Sequence, residues 1–227
     1  MAEDAPRYGR AAFFGLLGGG LSAFWWASGA NRVLAPLSSQ FSQLAGDLLP
    51  VGGWRIYTIS GSMPIFDPRT WRLEIGGLVR KPVSLSYDDL RALPRAHQVT
   101  DFHCVTGWSV KNVRWAGVRF ADLLRAAGPL PAAKALTFIS AEQPYLDSLT
   151  IEQAELKDVL LAYQMDGKPL PREHGAPLRV VIPDMYGYKN VKWVARVTVG
   201  ERPVDGYWEV RGYDRDAWVG RSNGYTS

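Results

Sequence analysis

One cysteine stands in 227 residues, with three histidines, His97, His103 and His174. A lone cysteine cannot close an internal disulfide, which leaves packing, redox chemistry or metal binding for Cys104. There is no Cys-x-x-Cys-His, so no covalently attached haem. No second thiol completes an iron–sulfur or zinc-thiolate site, and the histidines lack the spacing of a helical zinc site. No glycine-rich loop sits at a strand–helix junction, which excludes the common nucleotide fingerprints. The chain also lacks a dense Lys/Arg tract. Its net charge of +4 is mild, and nucleic acid is not indicated as a partner. From residue 168 to 221, ten Lys or Arg face seven Asp or Glu. Solvated surface explains that excess, and so does a locally bound anion.

What is present begins with a run of twenty uncharged residues, 11–30, behind Arg7 and Arg10. About twenty apolar residues span a bilayer as a helix. Flanking arginines stay cytoplasmic, so the rest of the chain is expected on the extracytoplasmic side. The alternative is a cleaved export signal ending near Ala27-Ser28-Gly29, with a soluble exported product. Residues 31–53 read as a tether. Val33, Leu34, Leu37, Phe41, Leu44 and Leu48 fall at helical spacing within it. The boundary of the main domain is placed near Trp54, giving residues 1–30, 31–53 and 54–227.

The main domain reads as α+β with a mixed sheet. Trp71, Leu73 and Ile75 alternate like a strand that Gly76-Gly77 closes. Ser86 and Asp89 have the spacing of a capping box for a short helix. Strands are expected at 98–104, 135–141, 159–165, 178–182 and 191–199. A helix is expected over 118–127, stopped by Gly128, and Thr150 with Gln153 caps another. Short helices interleaved with strands exclude the long regular helices of a doubly wound fold.

Five segments follow one another in a fixed order. The first is Asp101-Phe102-His103-Cys104-Val105-Thr106-Gly107-Trp108, then Val113-Arg114-Trp115-Ala116-Gly117-Val118. The third is His174-Gly175-Ala176-Pro177-Leu178-Arg179, the fourth Gly187-Tyr188-Lys189-Asn190-Val191-Lys192-Trp193. The last is Tyr207-Trp208-Glu209-Val210-Arg211-Gly212-Tyr213. In this order the set resembles the molybdopterin-binding domain of the sulfite oxidase family. Around Cys104 it is closer to the bacterial methionine-sulfoxide reductase catalytic subunit than to sulfite oxidases proper. The resemblance covers about residues 54–220.

The resemblance implies a two-electron oxygen-atom transfer on a small sulfoxide, related oxide or sulfite, with a molybdenum–molybdopterin cofactor. Cys104 matches the thiolate that ligates molybdenum, a chemistry that soft anionic sulfur suits. His174 and Arg179 match positions that hold the phosphate side of the pterin, and a guanidinium fork fits phosphate. Gly187, Tyr188 and Lys189 match a loop that closes on the cofactor, and Ser140 a more loosely aligned cofactor contact. Tyr213 matches an active-site tyrosine near the metal. A separate electron carrier, a membrane haem protein or a quinone-linked subunit, is implied as well.

Each residue also has a plainer reading. Cys104 can be a small buried hydrophobe, Arg179, Lys189 and Lys192 surface charges, Tyr213 and Trp208 core aromatics. His174 and Gly187 can simply serve turns. Two departures bear on substrate. The run after Cys104 carries no arginine, and Thr58-Ile59-Ser60-Gly61-Ser62 stands where the family has an Arg-Asn-His segment. A site for a small dianion presents several cations, so a neutral oxide is at least as well matched as sulfite. Two other classes compete with this enzyme. One is a membrane-tethered, non-catalytic binding or assembly module that keeps the fold. The other is a cysteine-nucleophile enzyme using Cys104 and His174.

Overall fold

The computed structural model describes residues 53–221. The anchor or signal expected at 1–30 and nearly all of the tether at 31–53 lie outside the described residues. The described residues fall within one compact unit. Among the described residues, no helix is long and apolar enough to cross a membrane.

Among the described residues, ten strands form two five-stranded, mainly antiparallel arrays. In the first, β1 (Arg72–Gly77) pairs antiparallel with β2 (Val83–Ser86) and parallel with β10 (Val194–Gly200). Outside β10 come β5 (Ala135–Ser140) and then β6 (Leu146–Thr150), both antiparallel. In the second, β3 (Ala96–His103), β4 (Ser109–Arg119) and β7 (Leu160–Met165) run antiparallel in that order. The two ends of β7 then take separate partners, β8 (Lys168–Pro169) and β9 (Arg179–Val181). The single parallel pair makes the first sheet mixed, as expected.

Three short helices carry their signals openly. In α1 (Tyr87–Ala92), Ser86 and Asp89 form both bonds of a capping box, and Thr150 with Gln153 does the same for α3 (Ile151–Ala154). The helix expected from residue 118 starts later, as α2 (Phe120–Ala127). Val118 and Arg119 are instead held in β4 by pairing with Leu161 and Leu160. Gly128 ends the helix at φ 66, as its position suggested.

Strand β7 explains how the interior is divided. Leu161 and Tyr163 enter the larger core with Phe120, Phe138 and Val197. Leu160 and Ala162 enter a smaller core around Trp115 and Val181. A strand buried on both faces reads as a continuous apolar run, which is what residues 159–163 are. Beside it, β4 bulges at Ala116 and Gly117. A Cβ on Gly117 would stand 2.0 Å from the Leu161 carbonyl oxygen and 2.7 Å from the Ala162 Cα. Those are backbone atoms of the central strand and cannot yield cheaply. Gly117→Ala is therefore expected to cost about 3 kcal/mol of stability, measurable as a lower denaturant midpoint with unchanged slope.

Candidate active site

The hairpin between β3 and β4 presents the thiol. The Cys104 N–H donates to the Trp108 carbonyl at 2.9 Å, and Gly107 N–H returns to the Cys104 carbonyl at 3.0 Å. Gly107 sits at φ 88 in this turn, where a side chain is disfavoured. Cys104 Sγ lies 3.2 Å from the Thr106 hydroxyl. It faces a cavity of about 460 Å³.

Arg179, the first residue of β9, lines the same cavity and is 2% exposed. Its Nη1 donates to the His174 carbonyl at 3.2 Å. The guanidinium lies 5.0 Å from the Trp115 ring and 5.5 Å from Phe102. Among the described residues it forms no ion pair with a carboxylate. Burial lowers it to about 10, so it stays charged at neutral pH. Burial and then the Arg179 charge hold His174 down to about 4, so that imidazole is neutral. The same two causes lower Lys192 to about 8. Lys192 Nζ donates to the Tyr57 carbonyl at 2.8 Å and to the Glu173 carbonyl at 3.2 Å. Glu142 and Glu173 oppose the fall at Lys192, whereas buried Arg179 has no ion-paired carboxylate among the described residues, which is costly. This end of the cavity is built for an anion.

Aromatic side chains make up much of the rest of the lining. Trp54 packs on Phe102 at 4.8 Å and on the His174 ring at 4.7 Å, and Phe102 meets Trp108 at 5.7 Å. Opposite them in sequence, Tyr213 rests on Tyr188 at 5.3 Å and on Trp208 at 5.2 Å. Tyr145 stacks on Tyr207 and donates its hydroxyl proton to the Tyr188 carbonyl at 2.7 Å. Residues 54–59 of an irregular strap, 54–63, line the cavity. The Glu142 carboxylate fastens it, accepting from Ile59 N–H at 2.8 Å and from Ser60. Arg172 holds it again at the carbonyls of Met63 and Pro64.

The oxidoreductase molybdopterin binding domain profile matches residues 60–208 of this chain. The chain belongs to the sulfite oxidase family of molybdopterin oxidoreductases. It is 37% identical to the uncharacterized oxidoreductase YuiH of Bacillus subtilis (strain 168), across 70% of this chain and 81% of that protein. It is 33% identical to the protein-methionine-sulfoxide reductase catalytic subunit MsrP of Xanthomonas axonopodis pv. citri (strain 306), across 61% of this chain and 47% of MsrP. Among solved structures it resembles the sulfane dehydrogenase SoxCD from Paracoccus pantotrophus. There the TM-score is 0.63 at 26% identity, over 73% of this chain and 51% of that one. The chain thus spans about half the length of MsrP and of the SoxCD chain.

The site can be tested against the family's molybdenum–molybdopterin cofactor, and it fits. The thiol that would take the metal and the buried, uncompensated Arg179 that would meet phosphate share one cavity. Of the residues expected from sequence, Cys104, Ser140, His174, Arg179, Gly187, Tyr188 and Tyr213 all line it. Their reach toward the cofactor differs. Ser140 already donates to the Lys192 carbonyl at 2.8 Å and accepts from Glu142 N–H. The Gly187 N–H is bonded to the His103 carbonyl at 2.8 Å. A Cβ there would strike the Phe102 ring at 2.3 Å, so close packing alone explains the glycine.

Lys189 departs from its expected role. It is 1% exposed, it is absent from the cavity lining, and its ammonium meets Asp147 and Glu209. Lys192, which sequence alone allowed as a surface charge, stands at the cavity instead. Glu142, Tyr145 and Arg55 also line the site and were missed. No local pattern marks them, because each reaches the cavity through long-range packing.

Two outcomes follow from this geometry. Arg179→Met, expressed in a host that makes the cofactor, is expected to lower molybdenum and pterin per chain by about tenfold or more; metal analysis of the purified protein reads this. Lys192 is charged below about 8 and neutral above it. Pterin loss on prolonged dialysis should therefore be steady from weakly acid to neutral pH and should accelerate as pH rises through about 8.

Proposed function

We propose that this protein reduces a small, neutral sulfoxide or related oxide, taking its electrons from a separate membrane haem or quinone-linked partner. The observation that carries the reading is the aromatic lining of the cavity: Trp54, Trp108, Tyr145, Tyr188, Trp208 and Tyr213 outnumber its cations, Arg55, Arg179 and Lys192. The turn from Cys104 to Ser109 adds no cation there. An apolar, polarisable wall suits an organosulfur group better than a dianion.

The overall change is R₂SO + 2 e⁻ + 2 H⁺ → R₂S + H₂O. The molybdenum cofactor, when bound, supplies the two-electron chemistry. The chain's own part is to hold it through Cys104, Arg179 and His174, to exclude water with the aromatic wall, and to present the Tyr213 hydroxyl to the departing oxygen. Neutral His174 leaves the positive charge at that end to Arg179 and Lys192. Residues 11–30 serve as the membrane anchor in this reading, with the catalytic domain on the extracytoplasmic side; cleavage after that run would give a soluble exported form. MsrP, named as the catalytic subunit of a methionine-sulfoxide reductase, supports a division of labour with a separate subunit.

Sulfite oxidation is the second reading. Arg55 favours it, lining the cavity with its guanidinium 6.0 Å from the Trp108 ring. The test is metal analysis of the wild type and Cys104→Ala, followed by turnover with artificial donors and acceptors. About one molybdenum per wild-type chain is expected, with turnover of dimethyl sulfoxide or an aryl methyl sulfoxide that Cys104→Ala loses. Rapid sulfite oxidation with no sulfoxide turnover would reverse the assignment. Metal with neither activity would favour a non-catalytic module.

A further inference from the structure

A second set of buried charges lies outside the cavity lining. The Lys189 ammonium lies 2.6 Å from Asp147 Oδ1 and 2.5 Å from Glu209 Oε1, all three side chains almost fully enclosed. Ser148 N–H donates to Asp147 Oδ1 at 2.7 Å and Gly206 N–H to Glu209 Oε2 at 2.8 Å. Asp147 Oδ2 is buried without a hydrogen-bond partner.

Three separate pieces of chain supply these charges: β6, the turn after Tyr186 and the short 3₁₀ helix Glu209–Arg211. Beside each charge in sequence stands an aromatic residue of the cavity wall. Tyr145 comes two residues before Asp147, Tyr188 directly before Lys189, and Tyr207-Trp208 directly before Glu209. Those aromatics also hold one another. Tyr145 stacks on Tyr207 at 5.7 Å, Tyr207 meets Trp208 at 5.2 Å, and the Tyr145 hydroxyl bonds the Tyr188 carbonyl.

We propose that Asp147, Lys189 and Glu209 are positioning residues for the reaction, a buried charge clamp that fixes Tyr145, Tyr188, Tyr207 and Trp208 against the substrate. The inference rests on the reading above that this wall is the substrate side. It gives Lys189 a role that does not require contact with the cofactor.

The clamp carries a proton-dependent element. Two carboxylates face one ammonium, so full ionisation leaves a buried negative charge. Burial pushes the Asp147 carboxyl up to about 7; the Glu209 carboxylate adds to the rise and the Lys189 ammonium opposes it. Tyr145, the other titratable group set against Asp147, is held well above its ordinary range by burial and keeps its proton. Ionised Asp147 grips the ammonium opposite Glu209. Protonated, it is a weaker acceptor and the wall is less firmly tied.

The test uses the holo-protein, dimethyl sulfoxide and a reduced viologen dye. KM and kcat are measured from about pH 6 to about pH 8.5 for the wild type and Asp147→Asn. Near-ultraviolet circular dichroism of the bound aromatics is followed over the same range. In the wild type, KM should rise about fivefold as pH falls through 7 while kcat changes less than about twofold. The dichroism should share that midpoint.

Asp147→Asn should be flat in both readouts, with KM at the raised value. Glu209→Gln is the second variant, useful if Asp147→Asn folds poorly. It should move the midpoint to lower pH, because the charge that helps to raise Asp147 is gone. A flat wild-type dichroism, or a midpoint that survives in Asp147→Asn, overturns the clamp. A midpoint present only in the wild type, in a protein that turns over no sulfoxide, supports the clamp and counts against the sulfoxide reading.

Discussion

A guanidinium buried without a carboxylate is the constraint on which this structure depends. Arg179 begins β9, at 2% exposure, bonded to the His174 carbonyl and set against the Trp115 and Phe102 rings. Such a charge is tolerated in an interior when an anion completes the site. Its neighbours follow from that requirement. Trp115 and Phe102 turn their electron-rich faces toward it, a weak but favourable substitute for a counter-ion. His174 gives up its proton and spares the site a further positive charge. A chain that holds a cation this way is organised around a ligand it does not itself encode.

The cavity joins two kinds of surface that rarely share a wall. One end is electropositive and rigid, anchored on β9 and the Arg172–His174 turn. Aromatic side chains supply much of the rest, Phe102 from β3 and others such as Trp108 and Tyr213 from connections between strands. Cys104 lines the same cavity from a hairpin whose two backbone hydrogen bonds fix its direction. Arg179 is thus held on a regular strand, while Cys104 and Lys192 sit on connections, the parts of a fold that vary most freely.

Much of this was legible in the residues, for reasons that can be named. The capping boxes at Ser86 and Thr150 and the stop at Gly128 are local devices, readable without tertiary structure. The ordered motifs placed six site residues on one cavity, and the looser match added Ser140. Strand β4 was not visible. Its alternation breaks at the Gly117 bulge, and Asn112 interrupts it with φ 55. Strand β6 was hidden for another reason: Asp147 and Ser148 look like surface residues in the sequence, yet Asp147 is buried against Lys189 and Ser148 against the Thr137 hydroxyl. Lys189 was misdirected for the same cause, since a lysine's partner 42 positions away leaves no local trace. Glu142 is a further case, a carboxylate whose partners lie more than eighty residues upstream.

The strap at 54–63 contributes no rung to either sheet. Among the described residues it is fastened by the carboxylate of Glu142, the ammonium of Lys192, the guanidinium of Arg172 and the ring of Trp54. Both sheets can therefore be complete while one flank of the cavity still stands open. A group as large as a pterin then has a way into a finished fold, and insertion can precede closure without a strand being pulled from its neighbours.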